Sequence, residues 1–120
     1  MKLIKSIGCA FSGIRSCFQS EQNFRIHFIL AIMALLFSIA FEISAIEWIA
    51  VCFCIVFVIT MEMLNTAIEK LCDVVHKEIH PGIKKVKDIA AGAVLLSALF
   101  SLVTGCIIFL PKMISYFKTT

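Results

Sequence analysis

The sequence predicts an all-α integral membrane protein: three spanning helices, an amphipathic surface helix before them, and assembly with copies of itself. Three observations predict it. Hydrophobic residues make up 61% of the 120 positions and mean hydropathy is +1.02, whereas soluble domains are apolar at about half their positions. Three long runs carry no charge: Ile26 to Phe41, Trp48 to Met61 and Ile89 to Pro111. Finally, nine of the eleven basic residues fall on one side of those runs.

Each element has its own justification. Residues 2–19 read as an amphipathic helix, because Leu3, Ile7, Phe11, Ile14 and Phe18 recur at steps of three and four. Such a helix lies in the membrane interface, as a plain anchor or as a wall over a site. The first 20 residues lack the apolar core of a signal peptide. Ser20 is the expected N-cap of the first span, about 24–42, with Glu21 in its first turn. His27 reads as an interfacial histidine. A tight loop over 43–46 leads to Trp48, which suits the interfacial belt.

The second span, about 46–68, reaches the roughly 20 residues of a crossing only if Glu62 is tolerated inside it. Its helix continues to about 75. His80-Pro81-Gly82 is the break, with Pro81 in the first turn of the next helix. That helix starts near 81–82 and ends at about 110, its spanning part being about 86–110. Ala93, Ser97, Ser101 and Gly105 follow one another at four-residue steps, which lets helices approach closely. Three short spans bury little by themselves, so a homo-oligomer is expected.

Charge orients the chain. Lys2, Lys5, Arg15 and Arg25 precede the first span, and Lys70, Lys77, Lys84, Lys85 and Lys87 surround the second loop. That side is therefore cytoplasmic and the C-terminus lies outside, although Lys112 and Lys118 sit there. The net charge of +3 is thus a topology signal. Basic patches with interleaved aromatics are missing, so nucleic acid is not an expected partner. The six cysteines form no CxxC pair and read as reduced apolar filler. His76 and His80 have i,i+4 spacing but no obvious third ligand, so zinc is not expected.

Chemistry concentrates in Met61 to Asp73. Relative to Glu62, residues Asn65, Glu69 and Asp73 fall at about −60°, −20° and +20° around a helix. The stripe climbs about 16 Å, from inside the bilayer to water. An ionisable residue at that depth is costly and is a functional candidate by default. Its bland reading is an interhelical polar contact, for which a neutral glutamine would serve as well. With Glu21, Glu78, Lys87 and Asp88, the polar groups of that face form an oxygen-rich set with one lysine at the apolar boundary. Hard oxygen ligands suit Mg²⁺ held by one or two carboxylates and substrate phosphates. A desolvated carboxylate could act as a general base toward a lipid hydroxyl. Metal, cation and base are the parts of phosphoryl transfer, yet no Gly-rich phosphate loop is present.

Two segments then resemble a known family. Glu62-Met63-Leu64-Asn65-Thr66-Ala67-Ile68-Glu69, with Asp73, and Lys87-Asp88-Ile89-Ala90-Ala91-Gly92-Ala93 resemble the small prokaryotic diacylglycerol kinases, which include the undecaprenol kinases. Ala10-Phe11-Ser12-Gly13-Ile14-Arg15 and Glu21-Gln22-Asn23-Phe24-Arg25-Ile26-His27 fit as well, so residues 5 to about 105 are covered. The resemblance implies a homotrimer in the bacterial inner membrane, with sites shared between neighbouring subunits at the cytoplasmic face. It implies transfer of the γ-phosphate of Mg-ATP to a lipid primary alcohol. By motif position, Glu62 would be the base, with Asn65 orienting it or the substrate. Glu21 and Glu69 would bind the metal and, with Glu78, His80, Lys87 and Asp88, the ATP. Gly13, Arg15 and Arg25 would join Glu62 at the lipid substrate, and Asp73 would support the site. Ile26 stands where some members carry glutamine. The lipid therefore stays open between diacylglycerol and undecaprenol. Two other classes compete: a transporter or channel using Glu62 as an intramembrane carboxylate, and a scaffold whose stripe only drives assembly.

Overall fold

The structure, a computed structural model, describes residues 1–76, 78 and 80–119. Lys77, counted above among the basic residues of the second loop, lies outside the described residues. Four helices follow one another: α1 (Lys2–Ser20), α2 (Gln22–Ala40), α3 (Ala45–Val75) and α4 (Pro81–Thr119). The last three are long and apolar enough to cross a membrane.

Between α1 and α2 only Glu21 is extended, at φ −117° and ψ 114°. This corrects the expected N-cap. Helix α1 runs on through Ser20, whose hydroxyl donates back to the Ser16 carbonyl at 2.8 Å. Glu21 therefore takes the N-cap position, without a side-chain capping bond, instead of sitting in the first turn. Arg25 fixes the elbow: its Nη1 donates to the carbonyls of Phe18 and Gln19, at 3.0 and 3.1 Å. These acceptors are orphans of the α1 C-terminus. Phe24, 1% exposed, packs edge-on against Phe18 beneath them.

At the other end of α2 the chain reverses in four residues. Glu42 has φ 49°, the one positive φ outside glycine among the described residues. Its N–H donates to Ile39 and that of Ile43 to Ser38, both at 3.3 Å. This is the double bond pattern of a Schellman motif, which needs a left-handed residue at that position. Ser44 then opens α3 with a capping box. Its Oγ accepts from the Glu47 N–H at 3.2 Å, while Glu47 accepts from the Ser44 N–H at 3.0 Å. The free Glu47 oxygen takes Lys112 Nζ at 3.0 Å and ties α4 to the start of α3.

Helix α3 is the spine, packing on α4 most extensively and next on α2. The row of small residues is spent here, inside one chain. Ser97 is buried and Ser101 donates across to the Cys54 carbonyl at 3.4 Å. Ile43, Val51 and Ile108 form a small core, with Phe41, Trp48 and Phe109 around it. Helices α2 and α4 meet beside that core through Phe37, Phe41 and Phe109. Nearer α1 they flank a groove of about 390 Å³ over α3, lined by Ala31, Val58 and Ala98 among others, with His27 toward α1. Beyond the expected end near 110, α4 continues through Pro111 to Thr119. Proline removes one backbone bond there, while the next residue, Lys112, makes the tie to Glu47.

The four-residue reversal yields two opposite expectations. Glu42→Gly removes the left-handed Cβ clash and should stabilise by roughly 1 kcal/mol. Ser44→Ala loses the cap and should destabilise by about 1 kcal/mol. Unfolding midpoints in mixed micelles check both. A lower midpoint for Glu42→Gly, or an unchanged one for Ser44→Ala, contradicts this account of the turn.

Candidate functional site

The stripe on α3 forms as its spacing requires, but its members differ in environment. Glu62 is 2% exposed, Asn65 and Glu69 are half-buried, and Asp73 is exposed. Asn65 Nδ2 donates to Glu69 Oε1 at 3.2 Å, an i,i+4 pair on one helix face. Three polar atoms of this face are enclosed without a hydrogen-bond partner: Glu62 Oε2, Asn65 Oδ1 and Thr66 Oγ1. Buried polar atoms are nearly always partnered, so three together single this face out as the candidate site.

Other elements converge on the stripe. From α2, His27 brings Nε2 to 3.7 Å from Glu62 Oε2, with 21% of its side chain exposed. From the elbow, half-buried Glu21 is close enough to act on Glu62 electrostatically, as Glu69 is. From α1, buried Cys17 packs nearby. Burial pushes its thiol up, and the Glu21 carboxylate adds to the effect. A neutral, packed thiol is the apolar filler expected of it.

From α4, Lys87 Nζ reaches Asp73 Oδ1 at 2.9 Å, fourteen residues back along the chain. Its sequence neighbour Asp88 turns to Lys84 instead, at 2.8 Å. Glu78 and His80 lie exposed between α3 and α4. The Glu78 carbonyl accepts from His76 Nδ1 at 3.0 Å, and His80 Nδ1 accepts from the Gly82 N–H at 3.0 Å. The second bond makes His80 the side-chain cap of α4, ahead of Pro81 in the first turn. Gly13 and Arg15 lie exposed on α1 and have no hydrogen bond or ion pair to the stripe. Arg25 is committed to the α1 carbonyls.

Two polar members escaped the sequence reading. Thr66 stood inside the quoted motif but reads as an ordinary helix residue until its burial is known. His27 looked interfacial. It lies at an i+3 offset from Phe24, which is 1% exposed, and that burial is not written in the sequence.

Comparison with known proteins identifies the family of the chain. Residues 8–109 match the family described as prokaryotic diacylglycerol kinase. An undecaprenol kinase of Bacillus subtilis (strain 168) is 38% identical over 112 residues, covering 93% of this chain and 91% of that protein. A diacylglycerol kinase of Synechocystis sp. is 34% identical over 116 residues, covering 94% and 65%. A diacylglycerol kinase of Escherichia coli (strain K12) is 27% identical over 107 residues, covering 89% and 88%. With a buried carboxylate on an apolar helix and a match across most of its length, the chain belongs to the prokaryotic diacylglycerol kinase family and is a membrane lipid kinase.

Proposed function

We propose that the protein transfers the γ-phosphate of Mg-ATP to the primary hydroxyl of a long-chain lipid alcohol at the cytoplasmic face of the bacterial inner membrane. The observation that carries this reading is the trio of enclosed, unpartnered atoms on α3: Glu62 Oε2, Asn65 Oδ1 and Thr66 Oγ1. A lipid hydroxyl brings a polar partner to this pocket while its chain stays in hydrocarbon. Glu62 accepts the hydroxyl proton as general base. The alcohol oxygen bonds to the γ-phosphorus, and the bond to the bridging oxygen breaks with its electron pair going to ADP. Asn65, held by Glu69, orients the base or the alcohol.

Glu21 and Glu69 hold the metal. Among the described residues no three His, Cys, Asp or Glu side chains stand together closely enough to hold a metal ion. Two carboxylates would still suit magnesium, which commonly takes one or two of them together with phosphate oxygens and water. Asn65 occupies only one oxygen of Glu69. An ion held there would supply charge neutralisation at the phosphates. Lys87 trades Asp73 for a phosphate. The pair is partly exposed, at 38% and 68% of the side chains, and such pairs hold weakly. Glu78, His80 and Asp88 face the nucleotide from the connecting segment and the first turns of α4. Gly13, Arg15 and Arg25 border the lipid side, with α1 seated in the interface on Leu3, Ile7 and Phe11, all exposed. The assembly proposed is a homotrimer with sites shared between subunits, as the resemblance to the family implies; the thin core leaves helix faces available for it.

The acceptor proposed first is a polyprenol such as undecaprenol, favoured by the 38% identity to an undecaprenol kinase. Diacylglycerol is the second reading, favoured by the kinases of that name at 34% and 27%.

Purified protein with Mg-ATP should phosphorylate undecaprenol faster than diacylglycerol at matched mole fraction. A reversed order selects the second acceptor, and ATP-independent flux in liposomes without phosphorylation would support a transporter instead. Glu62→Gln should leave helix content intact and lower kcat by about 10²-fold or more. Near-normal turnover would remove Glu62 from the role of base. Lys87→Met should raise KM for ATP more than for the lipid; the opposite split would place Lys87 at the acceptor.

A further inference from the structure

We propose that His27 is the positioning residue of the base: its Nε2 holds Glu62 Oε2 and so turns Oε1 toward the lipid hydroxyl. The inference rests on the kinase reading above and adds a residue to it.

Between Arg25 and Phe41, α2 carries only two polar side chains, His27 and Ser38. Ser38 is satisfied by its own helix, donating to Ala34 at 2.7 Å. His27 has no hydrogen bond among the described residues, and its Nε2 stands 3.7 Å from an enclosed oxygen that also has none. Two unspent polar groups facing each other inside an apolar bundle are a contact waiting to close. Hydrogen bonds of a catalytic site are often long before substrate binds and tighten afterwards.

The direction of the imidazole is imposed from outside. Arg25 clamps the start of α2 to the α1 carbonyls, and Phe24 is buried beneath them. His27 lies three residues after Phe24 on the same helix face, which brings it to α3. The other ionisable groups acting on Glu62 are the carboxylates Glu21 and Glu69. They repel an ionised Glu62 and cannot hold it. His27 also lines the apolar groove between α2 and α4, so a chain lying there would carry its hydroxyl past the imidazole to the carboxylate. Either the imidazolium or the Nε2-protonated neutral ring presents a donor to Oε2.

Three substitutions separate positioning from packing. In His27→Gln the amide nitrogen stands near the place of Nε2 and keeps the donor. In His27→Asn the donor is withdrawn toward the backbone. His27→Leu keeps an apolar filler without a donor. Kinetics in mixed micelles with Mg-ATP and undecaprenol, on preparations matched for helix content and oligomer size, should give His27→Gln a kcat within a few-fold of wild type. His27→Leu and His27→Asn should lose about 10²-fold in kcat with both KM values little changed. On a Glu62→Asp background, where the oxygen is already displaced, His27→Leu should cost much less, because the two residues act as a unit. Wild-type kcat in His27→Leu overturns the proposal, as does an equal fall in Gln and Leu variants with full additivity. If Leu fails to fold, the Asn and Gln pair decides alone. Wild-type protein that phosphorylates no lipid sinks the kinase reading itself, whereas an active wild type with an equally active His27→Leu sinks only this inference.

Discussion

Glu62 sits 2% exposed on a helix long and apolar enough to cross a membrane. Hydrocarbon offers no water to a carboxylate, and an unprovided charge there costs several kcal/mol. Much of the polar architecture at the α1 end follows from that constraint. The elbow at Glu21 brings α1 back over α3, Arg25 locks the elbow, and Phe24 closes the space beneath. His27 on the next helix then meets the carboxylate. Each contact is ordinary; together they keep one acidic group dry but not isolated.

The protein spends little on a core of its own. Ile43, Val51 and Ile108 make a small cluster at the far end, while large residues such as Leu36, Val56 and Leu102 stand exposed. In a bilayer this carries no hydrophobic penalty, since lipid tails are as apolar as the side chains. Association within the chain rests on close packing instead. The small-residue row of α4 approaches α3 closely enough for Ser101 to reach a backbone carbonyl. Directional contacts mark the register: Lys112 holds Glu47 at one end, and the more exposed Lys87 meets Asp73 at the other.

Much of this was legible in the sequence. Runs without charge give three spans, because the bilayer sets a length and forbids unpaired ions. The 62, 65, 69, 73 spacing gives one polar face, because helix geometry is local. What sequence could not give is partnership between helices. Nothing in the chain says that Lys87 prefers Asp73 to its own neighbour, or that His27 stands opposite Glu62. Those facts depend on the rotation of one helix against another, set by Phe24, Arg25 and the α3–α4 packing. The Ser20 cap was misjudged for a related reason: α1 keeps its helix one residue longer than the motif predicts, and Glu21 inherits the position. The Ser44-to-Glu47 box was readable as S-x-x-E, but an apolar loop made it easy to pass over.

The reversal between α2 and α3 has a consequence for how the chain reaches its membrane. The amides of residues 41–44 all find partners within the turn, through the Schellman bonds and the capping box. Such a hairpin carries few backbone groups that must be left in water as it crosses. Those bonds all lie between residues 37 and 47, so the turn closes without any contribution from α4. Lys112 then arrives with α4 and closes on Glu47, a molecular seal that forms only once the last helix is in place.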